Sequence, residues 1–405
     1  MTSERLAGWV DEMGAIGGRP SGGVTRVAWS PELAAANEWL LTRARALGLK
    51  AAVDAAGNVV CQWTGSAPKE SAVVIGSHLD TVPDGGRYDG ALGVLSGLEA
   101  LHRLKEHGFA PRRPLWLVAF NDEEGTRYDA SMFGSRAFTG ADLSHLLDRV
   151  DSAGVPLREA MRRAGSDPAD LPGCARIGQV GCYLELHIEQ GARLEQAAQA
   201  VAVVSKSVGM RGYVVTLRGK PNHAGTTPTD LRRDALAGAA RVVLALRDAA
   251  RATNGLTTNV GRIEIRPGGA NVIPGFARFT VDARAPDAEG IERADELVHQ
   301  AVVKVSADEG LEHDIVETFT HPATQLDLGL REMLARHVAA AGAETLELVS
   351  GAGHDAMVLA AHVPAAMLFV PSRAGVSHAP DEYTSPTFYE PALTVLVETI
   401  MELAG

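Results

Sequence analysis

Four short apolar segments of this chain each lead toward residues that can bind a metal ion or transfer a proton. The segments are residues 72–76, 115–120, 182–186 and 366–370, and the polar residues that follow them include His78, Asp80, Glu123, Glu124, His187 and His378. Short, uninterrupted apolar runs predict buried strands. Because ligands of open α/β sheets bind beyond the carboxyl ends of the strands, we expect these four distant segments to meet at one crevice.

The loop after residues 72–76 contains one histidine and several aspartates. A carboxylate two positions after His78 is suited to hold a metal-bound imidazole by its second ring nitrogen, which is the role we predict for Asp80. Asp89 follows in the same loop and can bridge two ions. Each of these residues alone is more often part of a solvated loop, so only their joint placement favours a site.

Adjacent carboxylates follow the second apolar segment. Neighbouring side chains on an extended segment point in different directions, so Glu124 can bind a metal ion while Glu123 faces the reacting water. A general base in that position takes a proton from the water molecule. An exposed acidic turn is the alternative for this pair considered alone.

Two further histidines complete the set of candidate ligands. A lone histidine in the setting of His187 or His378 is more often a hydrogen-bonded structural residue than a ligand. Three histidines together with several carboxylates at the ends of four strands are harder to explain in that way. Nitrogen and oxygen ligands without a thiolate suit zinc, manganese, cobalt or nickel, and the sequence does not rank these metals.

The charge and the apolar pattern argue against several kinds of partner. A formal net charge of −12 disfavours binding to nucleic acid or to an anionic membrane surface, since both reward basic patches. No apolar run approaches the length that is needed to span a bilayer. We therefore expect a small polar substrate and neither a nucleic-acid nor a membrane partner.

The cysteines and the N-terminus bear on the cellular compartment. The 3 cysteines have no C-x-x-C spacing, which argues against both a disulfide framework and a thiolate zinc site. Leu6, Val10 and Met13 lie at helical spacing, unlike the unbroken apolar region of a secretory signal. These features predict a cytoplasmic protein.

Residues 209–319 follow a different pattern from the rest of the chain. Strands are predicted at 213–218, 258–265, 276–283 and 311–318, and helices at 231–252 and 288–308. This βαββαβ order is that of a ferredoxin-like domain. Strands that lead to candidate metal ligands lie both before and after these residues. We therefore predict an inserted domain at 209–320 between two parts of a catalytic domain, 1–208 and 321–405.

Seven motifs, taken in order, resemble those of the M20-type metallo-amidohydrolases. They are GSHLDTVPDGGRYDG, NDEEG, ELHIEQG, PNHAGTTP, GGANVIPG, GAGHDA and SHAP, and together they span nearly the whole chain. The resemblance is to the branch of N-carbamoyl-L-amino-acid hydrolases and allantoate amidohydrolases. It implies an α/β fold with a mixed-sheet, metallopeptidase-like catalytic domain and an inserted domain that serves as lid and dimerisation domain.

The resemblance also implies a role for each candidate ligand. It implies two divalent metal ions per subunit, and residues that match His78 and His187 bind one of them. Residues that match Glu124 and His378 bind the other ion, and Asp89 bridges the pair.

The resemblance has two further implications, one for Glu123 and one for His187. Glu123 matches the general base of the family, which takes a proton from water and returns it to the leaving nitrogen. At the position of His187 the related exopeptidases usually have aspartate, so the histidine in ELHIEQG favours the carbamoylase branch.

Most candidates for substrate binding lie in the inserted domain. In the family, the histidine that matches His223 reaches the active site of the partner subunit and stabilises the developing oxyanion, which makes a homodimer the catalytic unit. Asn271 and Arg284 match residues that grip the substrate, and Arg211 and Gln190 are further candidates for the same pocket. From the residues alone, Asn271 can serve turn geometry, Arg284 can be a solvated charge and His223 can belong to a tight loop.

The predicted function is metal-dependent hydrolysis of N-carbamoyl-L-amino acids to the free amino acid, ammonia and carbon dioxide. Residues 126–140 favour a carbamoylase over an allantoate amidohydrolase, although the latter shares every motif quoted above. A β-ureidopropionase, an aminoacylase and a peptidase are further alternatives, and a non-catalytic binding protein of the same fold is one from a different class. Closure of the inserted domain is expected at hinges near 205–209 and 320–322.

Overall fold

A computed structural model describes residues 3–405 of the chain. The helices, in chain order, are α1 (Glu4–Ala15), α2 (Pro31–Ala46), α3 (Ala91–Glu106), α4 (Phe133–Thr139), α5 (Leu157–Arg163), α6 (Arg193–Gln196), α7 (Ala235–Ala252), α8 (Ala288–Glu309), α9 (Leu328–Ala340), α10 (Asp355–Ala360) and α11 (Tyr389–Ala404). The strands are β1 (Lys50–Val53), β2 (Val59–Trp63), β3 (Ala72–His78), β4 (Leu115–Phe120), β5 (Val180–Ile188), β6 (Ala202–Ser207), β7 (Gly209–Arg218), β8 (Asn222–His223), β9 (Thr257–Asn259), β10 (Ile263–Arg266), β11 (Val272–Ile273), β12 (Phe276–Ala285), β13 (Glu312–His321), β14 (Thr324–Gln325), β15 (Leu346–Ser350) and β16 (Ala365–Val370).

The chain divides into two compact units. The first unit takes the chain up to Ser205 and again from Gln325 to Gly405, and the second unit is Lys206–Thr324. The domain boundaries predicted from the sequence lie after residues 208 and 320. No helix within residues 3–405 combines the length and the apolar character that crossing a membrane requires.

The sheet of the first unit is mixed. Its strand order is β1-β2-β4-β3-β5-β16-β6-β14, and β15 pairs with β6. The four central strands β4, β3, β5 and β16 run parallel to one another, whereas β2 pairs with β4 and β6 with β16 in antiparallel fashion. These four are the strands that the apolar segments predict, so the mixed α/β fold is confirmed.

Alternate residues of the central strands enter two separate cores. In β3, Val73 and Ile75 belong to a cluster with residues of α1, α2, α3, α9 and α11, whereas Ala72 and Val74 belong to a cluster with residues of α4 and α10. Because side chains alternate across a strand, the two clusters cover opposite faces of the sheet. Every residue of β3 and β4 is buried, which explains why these strands read as continuous apolar runs.

The second unit contains an antiparallel sheet with the strand order β10-β12-β7-β13, and β9 also pairs with β12. Helices α7 and α8 contact each other and strands β7 and β12. Their apolar side chains and those of the sheet form one core. A separate two-stranded ladder joins β8 and β11.

Two predicted elements of the second unit differ from the observed ones. The helix predicted from residue 231 begins at Ala235, because Thr229–Leu231 form a 3₁₀ turn and the Asp234 side chain caps α7 by accepting two backbone N–H bonds. The strand predicted at 258–265 is instead two strands, β9 and β10, on either side of residues 260–262. Gly261 lies in this break, and glycine weakens a strand.

Candidate metal centre

The predicted ligands meet at the carboxyl edge of the parallel strands. His78 is the last residue of β3, and His187 is the penultimate residue of β5. Glu124 follows β4, His378 follows β16, and Asp89 precedes α3. Their atoms form two groups around the Asp89 carboxylate, and within each group one ligand atom per residue lies within 4.8 Å of the others.

The first ligand group consists of His78, Asp89 and His187, all three of them buried. Nε2 of His187 lies 3.2 Å from Oδ1 of Asp89, and Nε2 of His78 lies 3.7 Å from the same oxygen. The two imidazole ring centroids are 5.8 Å apart. Both rings therefore direct the same nitrogen toward one carboxylate oxygen.

Backbone carbonyls set the orientation of both rings in the first ligand group. Nδ1 of His78 donates to the Asp80 carbonyl at 3.0 Å, and Nδ1 of His187 donates to the Ile188 carbonyl at 2.9 Å. A carbonyl oxygen can only accept, so the hydrogen of a neutral ring lies on Nδ1 and a lone pair on Nε2. This is the tautomer that metal ligation through Nε2 requires.

The hydrogen bond to His78 differs from the predicted one. The sequence predicts that the carboxylate of Asp80 orients His78, but the backbone carbonyl of Asp80 does so. The Asp80 carboxylate lies 3.7 Å from the same nitrogen, beyond hydrogen-bond range. It instead accepts from the backbone N–H groups of Glu123 and Glu124, at 3.2 and 3.1 Å, and so holds the two glutamates beside the histidine.

The second ligand group consists of Asp89, Glu124 and His378. Nε2 of His378 lies 3.1 Å from Oδ2 of Asp89 and 3.4 Å from Oε1 of Glu124. The His378 side chain is 49% exposed, and its φ of +56° is in the left-handed region. This group is thus more open to solvent than the first.

Several acceptor atoms of the two groups face one another and need a positive charge between them. Oε1 of Glu124 and Nε2 of His187 are buried, and no hydrogen bond of normal geometry reaches either atom from the described residues. Burial opposes a charge on His187, but the Asp89 carboxylate outweighs burial and raises the pKa of this histidine to about 9. The Asp89 and Glu124 carboxylates beside His378 raise its pKa to about 11. The donor set therefore fits a cation in place of these protons.

Glu123 and Glu124 point in different directions, as adjacent residues of an extended segment do. Glu124 faces His378, whereas Oε2 of Glu123 lies 3.9 Å from Nε2 of His78. The side chain of Glu123 is buried, and this burial, together with the charges of Glu124 and Asp355, raises its pKa well above the usual range. A carboxyl group in such a position can hold a proton near neutral pH.

Three polar residues tie the Asp89 carboxylate to the loop that carries His378. Nε2 of Gln190 donates to Oδ2 of Asp89 at 2.7 Å, and the Ser377 hydroxyl contacts the same oxygen at 2.9 Å. Glu382 contacts Ser377 in turn. Gln190, a candidate for substrate binding, is thus bound to a candidate ligand, whereas Ser377 and Glu382 are absent from the predicted set.

A buried carboxylate behind the first ligand group is also absent from the predicted set. Glu185 accepts hydrogen bonds from the Ser77 hydroxyl, the Tyr183 hydroxyl and the N–H of Ala356. Its ligand atoms also lie within 4.8 Å of those of His187 and His354. The sequence contains one signal for this residue, since Glu185 is a charged residue inside an otherwise apolar strand.

His223 and Asn271 lie on neighbouring segments of the second unit. His223 pairs with Val272 in the β8–β11 ladder, and the Asn271 carbonyl accepts from the N–H of Ala224 at 2.9 Å. Nδ1 of His223 accepts from the N–H groups of Gly225 and Thr226, at 3.1 and 3.2 Å. The hydrogen of the neutral, exposed ring therefore lies on Nε2.

The two candidate arginines pair with carboxylates of their own unit. Arg284 donates from Nε and Nη2 to the two oxygens of Asp282, at 2.8 and 3.0 Å. Nη2 of Arg211 lies 2.5 Å from Oε1 of Glu292, and Nη1 of Arg211 lies 3.4 Å from Oδ1 of Asp295. Both carboxylates belong to α8. The structure thus gives each guanidinium an internal partner, which the sequence does not predict.

Known proteins resemble this chain over nearly its whole length. The pattern of Peptidase family M20/M25/M40 matches residues 74–402. The chain is 37% identical to the N-carbamoyl-L-amino acid amidohydrolase of Geobacillus stearothermophilus, over 99% of this chain and 98% of that protein. It is 35% identical to the allantoate amidohydrolase of Bacillus subtilis, over 98% of this chain and 97% of that one.

A solved structure extends the resemblance to the fold. An amidase of the hydantoinase/carbamoylase family from Burkholderia vietnamiensis matches with a TM-score of 0.92 and 34% identity, over 99% of this chain and 97% of that one. M20 enzymes depend on metal ions, and the two ligand groups around Asp89 could bind such ions. The chain therefore belongs to the M20 family, in the branch of N-carbamoyl-L-amino-acid and allantoate amidohydrolases, and is a hydrolase of amide or ureido C–N bonds.

Proposed function

We propose that the protein hydrolyses N-carbamoyl-L-amino acids to the free amino acid, ammonia and carbon dioxide. The observation that carries this proposal is the Asp89 carboxylate, whose two oxygens face two groups of ligands, with Glu123 beside the first group. The amidohydrolase of Geobacillus stearothermophilus is named for this substrate class. His187, in place of the aspartate of the related exopeptidases, favours this branch over a peptidase and does not separate carbamoyl amino acids from allantoate.

Each ligand group is suited to one divalent cation, and Asp89 is shared between them. Imidazole nitrogens and carboxylate oxygens without sulfur fit zinc, manganese, cobalt or nickel. Cations bound there supply Lewis acidity to the carbonyl oxygen of the substrate and acidify a water molecule.

Glu123 is the residue that moves the proton. Its carboxylate lies beside His78 of the first ligand group, in a position to take a proton from the attacking water. The same carboxyl group then gives the proton to the leaving nitrogen as the C–N bond breaks. The carbamic acid that is released decomposes to ammonia and carbon dioxide.

The second unit is proposed to be a ferredoxin-like lid that also forms a homodimer. Nε2–H of His223 is free to donate to the oxygen that becomes negative during attack, because backbone N–H groups already occupy Nδ1. Arg284, whose fork the Asp282 carboxylate orients, and Asn271 would bind the substrate carboxylate. Replacing His223 with alanine should lower kcat and leave the metal content unchanged; an unchanged kcat would remove this residue from the reaction.

Allantoate is the second candidate substrate, since the Bacillus subtilis relative is named for it. The test is a comparison of kcat/KM for N-carbamoyl-L-amino acids, N-carbamoyl-β-alanine and allantoate on protein loaded with each of the four metals. We expect the highest value for an N-carbamoyl-L-amino acid. A higher value for allantoate would reassign the substrate without changing the reaction class.

A chelated sample tests the reaction class itself. Protein from which metal has been stripped should be inactive, and added cation should restore turnover. Equal activity before and after chelation would contradict a metal-dependent mechanism. Binding of all three substrates without turnover of any would identify a non-catalytic binding protein of the same fold.

A further inference from the structure

Glu382 is a buried carboxylate in the loop that carries His378. Its side chain is 4% exposed, and it makes three hydrogen bonds. Oε1 accepts from the backbone N–H groups of Tyr88 and Asp89, at 2.9 and 3.0 Å. Oε2 lies 2.8 Å from the Ser377 hydroxyl. One side chain thus joins the loop before α3 to the loop after β16.

The Ser377 hydroxyl contacts both Glu382 and the side chain of Asp89. It lies 2.9 Å from Oδ2 of Asp89, and Ser377 immediately precedes His378. Glu382 accepts from the backbone N–H of Asp89, and the Ser377 hydroxyl, which has one hydrogen to donate, lies between the side-chain carboxylates of Asp89 and Glu382. This set of contacts joins Asp89 to the residue that precedes His378.

The neighbouring backbone is shaped around the Glu382 carboxylate. A Cβ atom at Gly86 would overlap Oε1 and Cδ of Glu382, so only glycine lets the loop pass this close to the carboxylate. Next to it, the rings of Tyr88 and Tyr383 pack edge to face, with centroids 5.8 Å apart. The two loops are thus fitted to each other at the position of Glu382.

The second ligand group needs such a link more than the first does. His78 and His187 are strand residues of the same sheet: β3 and β5 pair directly as far as Ile75 and Leu184, and beyond this point His78 pairs with β4 and His187 with β16. Asp89 and His378 lie outside helices and strands, and His378 is on the surface in a left-handed conformation. No ladder of hydrogen bonds joins these two residues in the described structure.

We propose that Glu382 is a positioning residue that sets the distance between Asp89 and His378, so that the second ligand group binds its divalent cation tightly. This inference rests on the proposed metal-dependent function. Glu382 does not touch the substrate or the reacting atoms in this role. It acts through the two ligands.

The test measures binding of Mn²⁺ alone to metal-free protein by equilibrium dialysis and calorimetry. Wild-type protein is expected to bind two ions. Glu382→Leu removes the hydrogen-bonding atoms at similar size, so we expect the second ion to bind at least tenfold more weakly while the affinity of the first ion changes less than threefold. Glu382→Gln should restore binding of both ions, because its oxygen can accept from the two N–H groups and its amide can donate to Ser377.

Glu195→Leu is the matched control. The exposed Glu195 carboxylate also anchors the His378 loop, by accepting from the N–H of Ala374 at 2.7 Å, but it has no hydrogen bond to the Asp89 loop among the described contacts. This variant should bind both ions as wild type does. Ser377→Ala removes the link between Glu382 and Oδ2 of Asp89, together with a long contact from Gln190 at 3.5 Å, and it should weaken the second ion less than Glu382→Leu does.

Each outcome separates the inference from the proposed function. A wild-type protein that binds no Mn²⁺ would contradict the metal centre itself. If wild type binds two ions and Glu382→Leu binds both with unchanged affinity, Glu382 has no positioning role. A parallel loss of both ions with a lowered Tm would also overturn the inference, since a general folding defect predicts it. If Glu382→Leu does not fold, unchanged Mn²⁺ binding by Ser377→Ala decides against the inference.

Discussion

The two ligand groups share Asp89, but different kinds of structure hold them. In the first group, His78 and His187 are buried strand residues, and a backbone carbonyl fixes the tautomer of each ring. In the second group, Glu124 and His378 lie in loops, and His378 is about half exposed. The first group is therefore preformed by the sheet, whereas the second depends on contacts between loops.

This difference should appear as a difference in metal affinity. Electrostatic attraction is stronger in a buried, low-dielectric environment than at an exposed one, which favours the first group. His378 also has a strained backbone conformation for a residue other than glycine, with φ at +56°. We expect one tightly bound, slowly exchanging ion and one weaker ion that exchanges with solvent.

The largest effect is expected from Asp89→Asn. The substitution removes the charge that both groups share, so both ions should be lost and activity should fall to the level of metal-free protein. Metal analysis after dialysis measures the loss. Asp84→Asn, an exposed residue of the same loop, is the control and should keep both ions. Retention of one ion at full affinity by Asp89→Asn would show that the groups are independent.

Glu123→Gln should separate chemistry from metal binding. The variant is expected to keep both ions and to lose roughly 10²–10⁴-fold in kcat, the usual contribution of a general acid–base residue. Steady-state kinetics with parallel metal analysis checks both parts. Loss of an ion from this variant would make Glu123 a ligand and would add it to the first group.

Single histidine variants test the asymmetry directly. His187→Ala should weaken the first ion by more than about 100-fold, beyond the 10–100-fold effect of losing a supporting contact to a ligand. His378→Ala should weaken only the second ion and leave the affinity of the first unchanged. Calorimetric titration of each metal-free variant with Mn²⁺ resolves the two ions. Equal weakening of both ions in both variants would contradict the comparison.

The smallest effect is expected from a change of one pH unit. In metal-free protein the Asp89 and Glu124 carboxylates raise the pKa of His378 to about 11. Burial lowers the pKa of His187, but the Asp89 carboxylate outweighs burial and raises this pKa to about 9. Both values exceed the usual 6.5, so these pairings stabilise the metal-free fold fully below pH 6.5 and are lost as pH rises through each raised pKa. A proton and a cation compete for the same nitrogen, so affinity should rise with pH, by up to about tenfold per unit for each proton displaced.

Titration with Mn²⁺ between pH 6 and about 9 in several buffers measures both the affinity and the protons released. The rise in Mn²⁺ affinity with pH should level off near pH 9 for the ion of the first group. For the ion of the second group it should continue above pH 9. Affinities that do not change with pH would show that the histidines are already neutral in metal-free protein.

The sequence predicts the central strands well for a physical reason. Strands β3, β4 and β16 are buried along their whole length, so each appears as an apolar run. The predicted bounds match β4 and lie within one residue of those of β16, whereas β3 continues two residues beyond its predicted end, through His78. The convergence of His78, Glu124 and His187 then follows from the parallel direction of the strands. The start of α7 is less predictable, because a 3₁₀ turn directly precedes the cap at Asp234.

The contacts between loops could not be predicted in the same way. Glu382 lies in a segment rich in proline and acidic residues, where a carboxylate is usually exposed, and only the folded structure shows that two N–H groups of a distant loop surround it. The same holds for Asp80, where the sequence cannot distinguish a bond to the side chain from one to the carbonyl. The internal partner of Arg284 likewise depends on strand geometry that the sequence alone does not define.

The position of β16 has a consequence for biosynthesis. This strand lies between β5 and β6, although it follows both of them and the entire second unit along the chain. The backbone edges of β5 and β6 that pair with β16 in the folded sheet therefore have no partner until residues 365–370 have been synthesised. His378 follows β16 along the chain, so the second ligand group forms only after this strand has been synthesised. A nascent chain that stalls before this point exposes two strand edges, which makes it prone to aggregation.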